Sequence, residues 1–147
     1  MMKFARVRFS AGLMATALLL AGCSGQAGIK ALDRDATADD VLPAFVIVPE
    51  PANAETARLL ATRNGIQYFA VQSDDLKTAC LAVVQGDEST SWQMGCGQNN
   101  GSGKILDLQG AGSLSASLWA DGSDTGTIEP GWIKLTDNVL VPSGKSK

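Results

Sequence analysis

Three cysteines, fifteen acidic residues and no histidine bound the chemistry open to this chain. Without an imidazole, Ser-His-Asp and Cys-His catalysis, histidine zinc sites and histidine general bases are excluded. Cys80 and Cys96 stand sixteen positions apart, which is not the spacing of a CxxC redox pair. The carboxylates come as neighbours, Asp39-Asp40, Asp74-Asp75 and Asp87-Glu88. Glycoside hydrolysis needs two carboxylates held across a cleft. Nothing in the sequence places any two in that way, so these pairs are expected to solvate turns, and a histidine-free carboxylate hydrolase is the least favoured function. No G-x-S-x-G element or Walker-type loop occurs. "GAGSLS", Gly110 to Ser115, has serine where a dinucleotide loop needs its third glycine, and it reads as a turn between strands. No catalytic residue, no enzymatic activity and no cofactor are assigned.

Two kinds of binding residue remain. In "DGSDTGTIE", Asp121, Ser123 and Glu129 occupy places reminiscent of a calcium loop, but the twelfth position is Trp132, which cannot coordinate calcium. A solvated polar loop is the simpler expectation, with calcium as the alternative. Trp119 and Trp132 are the candidates for recognition, because indoles supply large contact areas in interfaces. In "SLSASLWA", period-two alternation puts Trp119 with Ser113, Ser115 and Ser117 on the solvent side of a half-exposed strand, opposite Leu114, Ala116 and Leu118. Trp92 is expected in the core beside a disulfide.

The third cysteine has a different setting. Lys3, Arg6 and Arg8 precede an uncharged, mostly apolar run from Ala11 to Leu20, the layout of an export signal. The run is shorter than the roughly 20 apolar residues of a membrane-spanning helix. It ends Leu20-Ala21-Gly22-Cys23, which resembles the bacterial lipobox. The resemblance implies removal of residues 1–22 and a diacylglyceryl group on the Cys23 thiol, with further acylation (palmitate, for example) of the freed amine. A plain secreted protein cut near Ala21 and an uncleaved anchor are the other readings. Two acyl chains suffice for stable anchoring. Membrane contact through lipid on Cys23 is thus expected, at the outer face of the plasma membrane in a Gram-positive cell. In a Gram-negative cell the outer membrane is open to it, since Ser24 rather than aspartate follows the cysteine.

Without residues 1–22, nine basic residues face fifteen acidic ones, a formal charge of about minus six. No basic run is present, so nucleic acid is not an expected partner. The remaining length suits one small domain. Residues 23–36 read as a lipidated N-terminus and short tether, 37–142 as the exported domain and 143–147 as a flexible tail.

The elements that must position these residues follow from turn signals. Thr37 is placed to cap a brief helix through Asp39, Asp40 and Leu42, which Pro43 stops. "FVIVP" reads as a short strand or extended segment and "EPANAE" as a polar connector. Asn64-Gly65 predicts a hairpin, "RLLAT" returning as "IQYFAV", although residues 55–62 could form a short helix. A second hairpin folds about Glu88. In that register Cys80 faces Cys96, Ala82 faces Met94 and Val84 faces Trp92, all on one face. Export permits a disulfide, and facing residues lie within its reach; two buried thiols are the alternative. "KILDLQ", "SLSASLWA" and "WIKLTDNVLVPS" supply the remaining strands. The expected fold is mainly β, a small antiparallel sheet with one or two short helices and a cross-strand disulfide. An α+β arrangement is the runner-up.

"LDRDATADDVLP", "ARLLATRNGIQYFAV", "ACLAVV" with Cys96 downstream, and "GWIKLTDNVLV" together make residues 33–142 similar to small exported proteins and lipoproteins of actinobacteria. That resemblance implies an exported, disulfide-bearing domain and carries no catalytic or ligand-binding residue with it. The expected function is a non-catalytic, membrane-tethered envelope domain that binds another envelope protein or a small ligand. A structural accessory lipoprotein without a specific ligand is the alternative.

Overall fold

Asn64 and Gly65 both adopt left-handed backbone, φ 51° and 76°, as a two-residue Asn-Gly hairpin turn requires. They join β1 (Ala52–Arg63) to β2 (Ile66–Ser73), with Arg63 opposite Ile66. The computed structural model describes residues 28–144; the segment expected to be an export signal, Cys23 and residues 145–147 lie outside the described residues. After β2, a turn over Asp74–Lys77 leads to β3 (Thr78–Gln85), which pairs with β4 (Trp92–Gln98). The order β1-β2-β3-β4 is an antiparallel meander.

The remaining strands, β5 (Lys104–Leu108), β6 (Ala116–Trp119), β7 (Trp132–Lys134) and β8 (Val139–Pro142), form a second antiparallel sheet in the order β5-β6-β8-β7. The fold is therefore mainly β, but with two four-stranded sheets where one small sheet was expected. No α-helix occurs among the described residues; the helical content is three single 3-10 turns, Lys30–Asp33, Ala38–Asp40 and Gly112–Leu114. The helix capped by Thr37 thus ends at Asp40, two residues short of Leu42.

The core lies between the sheets. Tyr68, Leu81 and Val83 from the first meet Leu118, Val139 and Val141 from the second. Alternation makes this possible, because alternate residues of β2 and β3 point inward and the others outward. The outward set, Phe69, Val71, Cys80, Ala82 and Val84, is just as buried. It is covered by the extended segment 41–49, which lays Leu42, Phe45, Val46 and Val48 over it. "FVIVP" is accordingly an unpaired strap, with Ile47 left 75 % exposed. The first sheet is apolar on both faces because both are covered.

The cysteine hairpin has the expected register: Cys80 opposite Cys96, Ala82 opposite Met94, Val84 opposite Trp92. Cys80 and Cys96 form a disulfide, their Cα atoms 4.0 Å apart. Trp92 shares that face but stands at its far end, half-buried against Phe69, Val84 and the strap, with Met94 between it and the disulfide. The glycines of "MGCG" point the other way. A Cβ on Gly97 would lie 2.3 Å from the Ile105 carbonyl oxygen, and one on Gly95 would lie 2.8 Å from Leu108 Cδ1. Two missing side chains are what allow β5 to cross directly over β4.

The N-terminal boundary differs from expectation. Ile29 and Leu32, placed in the tether, are buried in the inter-sheet core. Gly28 O accepts from Asp121 N at 2.7 Å, so the domain begins by residue 28. The sequence hides this because two apolar residues in a short Gly- and Ala-rich stretch give no period. At the other end Ser143, assigned to the tail, donates through its N–H to Gly131 O at 2.7 Å and accepts from Arg63 Nη2 at 3.1 Å. β1 also starts earlier than expected. "EPANAE" is not wholly a connector, since Ala52 and Asn53 pair with Ser73 and Gln72 before the register shifts.

Candidate functional site

The second sheet has an outer face that no strand among the described residues covers. Its polarity comes from the same alternation that buries Leu118 and Val139. On β6, Ala116 and Leu118 point into the core, which leaves Ser117 and Trp119 on the outside. Register aligns Asp107, Ser117 and Leu140 across β5, β6 and β8, with Lys104 opposite Trp119 and Trp132 opposite Pro142.

One loop overhangs this face. It leaves the sheet after Trp119, at the end of β6, and returns at Trp132, the first residue of β7. Both ends are clamped by backbone hydrogen bonds, Ser123 N to Ala120 O at 3.3 Å and Trp132 N to Glu129 O at 3.0 Å. Between them Thr125, Thr127, Ile128 and Glu129 line a groove of about 520 Å³, with Ser115, Ser117, Trp119, Trp132 and the Lys104–Asp107 pair on the sheet side. That volume is typical of small-ligand sites, about 300–1,000 Å³. The two tryptophans proposed for recognition are thus brought into a single groove, both half-buried.

Trp119 is held in place. Its indole Nε1–H donates to Ser117 Oγ at 2.9 Å, and the Lys104 ammonium lies 5.7 Å from the ring centroid. Lys104 in turn pairs with Asp107 at 2.6 Å. Below, Asn138 Nδ2 donates to Trp119 O at 2.9 Å and to Asp121 Oδ1 at 3.0 Å, while Trp119 N donates to Asn138 O at 2.8 Å. Asn138 is buried, so the backbone that carries Trp119 is fixed from beneath.

Ser117 corrects the reading of an exposed serine face. It is 4 % exposed, shielded by Trp119 and the overhanging loop. The alternation was legible, whereas the loop that roofs it was not. Thr125 on the loop is likewise half-buried, whereas Thr127 and Glu129 line the groove from its exposed rim.

The residues considered for calcium separate into different tasks. Asp121 accepts from Lys30 N and Asn138 Nδ2, pinning the N-terminal segment to the loop. Ser123 Oγ donates to Ala120 O at 2.6 Å and accepts from Gly103 N at 2.8 Å. Glu129 lines the groove. Among the described residues no three Cys, Asp or Glu side chains gather as metal ligands. The disulfide sits on the far side of the first sheet and takes no part in the groove. "GAGSLS" forms a turn between β5 and β6, closed by Ser115 Oγ on Gly110 N and O at 3.2 and 3.0 Å.

One acidic pair behaves unlike the expected surface solvation. Asp40 is 3 % exposed. Its carboxylate meets Arg34 in a bidentate pair, both contacts 2.6 Å, and accepts from Thr37 N at 2.7 Å and Thr37 Oγ1 at 2.9 Å. These donors, the Arg34 guanidinium foremost, hold the carboxyl far below the usual carboxylate range. Asp75, capped by Ser73 Oγ at 2.6 Å and Lys77 N at 3.1 Å, is also lowered. Neither lies in the groove. Asp107 and Glu129 do, with Asp107 engaged by Lys104.

The chain matches no protein-family model, no curated protein and no solved structure.

Proposed function

We propose that this chain is an exported, lipid-anchored envelope domain that binds, without transforming, a small ligand or a protruding group of another envelope protein in the Trp119–Trp132 groove. The observation that carries the reading is the loop geometry: two indoles at the opposite ends of one loop line the same polar groove. A groove walled by aromatic rings and a few oriented polar groups is the usual form of a small-ligand site.

The location rests on the sequence before Cys23. A lipid on that thiol would hold the domain close to the bilayer, since five residue steps to Gly28 extend at most about 18 Å. The acidic mature charge and the lack of a basic patch argue against a nucleic-acid partner. The absence of histidine and the engagement of Asp107 with Lys104 support binding over catalysis.

The test is photo-crosslinking in the native cell from position 127, in the loop, against position 47, on the opposite sheet's strap. A specific adduct from 127 that disappears in Trp119→Ala supports the reading. Equal adducts from both positions would overturn it, and recovery of a chemically cleaved ligand would overturn its non-catalytic part. Mass analysis of the mature chain should find acyl groups on Cys23; a mature N-terminus elsewhere, without lipid, removes the anchor.

A further inference from the structure

From the composition of the groove we infer that its ligand is a saccharide. This inference rests on the binding role proposed above and narrows it to one chemical class. A sugar ring presents an apolar C–H face and a rim of hydroxyls that both donate and accept. The groove offers the complement of each. Trp119 and Trp132 supply flat, rigid apolar surface. Thr125, Thr127 and Gln109 supply neutral groups able to donate and accept, and Glu129 supplies a carboxylate acceptor; Ser115 Oγ, whose proton goes to Gly110 O, can only accept.

Other occupants fit less well. Among the described residues Lys104 is the one cation lining the groove, and Asp107 already neutralises it at 2.6 Å, with Glu129 adding negative charge. A phosphate-bearing ligand therefore meets a net acidic wall. An acyl chain would strip water from hydroxyls and carboxylates it cannot satisfy. An extended peptide adds to a sheet edge, whereas this groove lies on a sheet face beneath a loop. The indole N–H of Trp119 is already spent on Ser117. That ring consequently offers its surface rather than a hydrogen bond.

The position of the groove suggests two sources for the same chemistry. Asp121, two residues beyond Trp119, holds Gly28 and Lys30, so the groove loop lies beside Gly28, the first described residue. Both a glycolipid headgroup and an envelope polysaccharide would meet it there.

The experiment uses the full-length chain purified from membranes in a detergent without a sugar headgroup. Tryptophan fluorescence and calorimetry are followed during titration with chitotetraose, maltotetraose and cellotetraose, and with vesicles carrying a glucosyl-diacylglycerol. Binding of at least one probe, accompanied by a shift in indole emission, is expected. Trp119→Ala and Trp132→Ala should each weaken it by about tenfold or more, with circular dichroism showing the fold retained at the titration temperature. Ser117→Ala, which frees the Trp119 indole while keeping it present, should weaken it less. Preference for the vesicles assigns the headgroup and preference for free oligosaccharide the polymer. If no probe binds while the crosslink from position 127 still depends on Trp119, the groove binds something other than a saccharide and this inference falls alone. If the crosslink is also indifferent to Trp119, the binding role falls with it.

Discussion

Asp40 Oδ1 accepts a hydrogen bond from Leu59 N at 2.7 Å, tying the segment before the sheets to the outward side of edge strand β1. Edge strands expose unpaired N–H groups that invite foreign strands. Here one carboxylate, itself fixed by Arg34 and Thr37, takes up such a group. Arg58 Nε adds a bond to Arg34 O at 2.9 Å, so the same network closes from the strand side.

Asp40→Ala is expected to destabilise the domain by about 2–3 kcal/mol, because it leaves Leu59 N, Thr37 N and the guanidinium without their acceptor. The carboxyl titrates lower in the folded protein than in the unfolded chain. Its contribution is then fully present above the unfolded value of about 3.9 and fades as pH falls through the folded value. Denaturant midpoints measured from pH 6 to pH 2 should drop for the parent chain. In Asp40→Asn they should start lower and drop less steeply. Parallel curves would show that Asp40 is not the group responsible.

Reduction of the Cys80–Cys96 bond provides a second test. The bond spans sixteen positions, and the chain-entropy account gives about 3 kcal/mol for a loop of that length. Cys80→Ala with Cys96→Ala should therefore lower the unfolding free energy by about 2–4 kcal/mol. The groove, on the other sheet, should keep its ligand affinity below the new melting point. Loss of binding in a still-folded double variant would show that the two sheets are coupled in a way their separate positions do not suggest.

The two hairpins were legible in the sequence because each has a local signal, Asn64-Gly65 in one and the pairing of six apolar or sulfur-bearing residues about Glu88 in the other. The two tryptophans were legible as candidates, and Trp119 was correctly placed on the serine side of β6. What could not be read was anything that depends on one sheet meeting the other. Ile29 and Leu32 are buried because they join the core that both sheets build. Within the strap, "FVIVP" reads equally as a short strand or an extended segment until an apolar outer face is seen to need a cover. Ser117 is buried by a loop whose own sequence, rich in Gly, Asp and Thr, reads as solvated. Local rules gave the strands, and long-range packing decided which of their faces met water.

The N-terminal segment gives a third prediction. Ile29→Ala should cost about 2–4 kcal/mol, in the range for truncating a buried aliphatic side chain. A surface position in the same segment, Lys30→Ala, should cost less than about 0.5 kcal/mol. Chemical denaturation of the two variants separates a core residue from a tether residue directly. Equal and small effects would return residues 28–32 to the tether.

Gly97 gives the sharpest steric prediction. It faces the inner side of β4, where β5 crosses so closely that an added Cβ would sit 2.3 Å from the Ile105 carbonyl oxygen. That contact involves backbone, so no rotamer change relieves it; β5 must move. Overpacking of this kind costs about 1–3 kcal/mol or more. Gly97→Ala should lower stability by at least that amount, while Gly95→Ala should cost less, because its nearest neighbour is the tip of the Leu108 side chain at 2.8 Å. Since β5 carries Lys104 and Asp107 to the groove, displacing it should also alter the environment of Trp119. Indole emission should therefore shift in Gly97→Ala and stay near the parent value in Gly95→Ala. Equal stabilities for the two variants would mean that β5 does not cross β4 as closely as described.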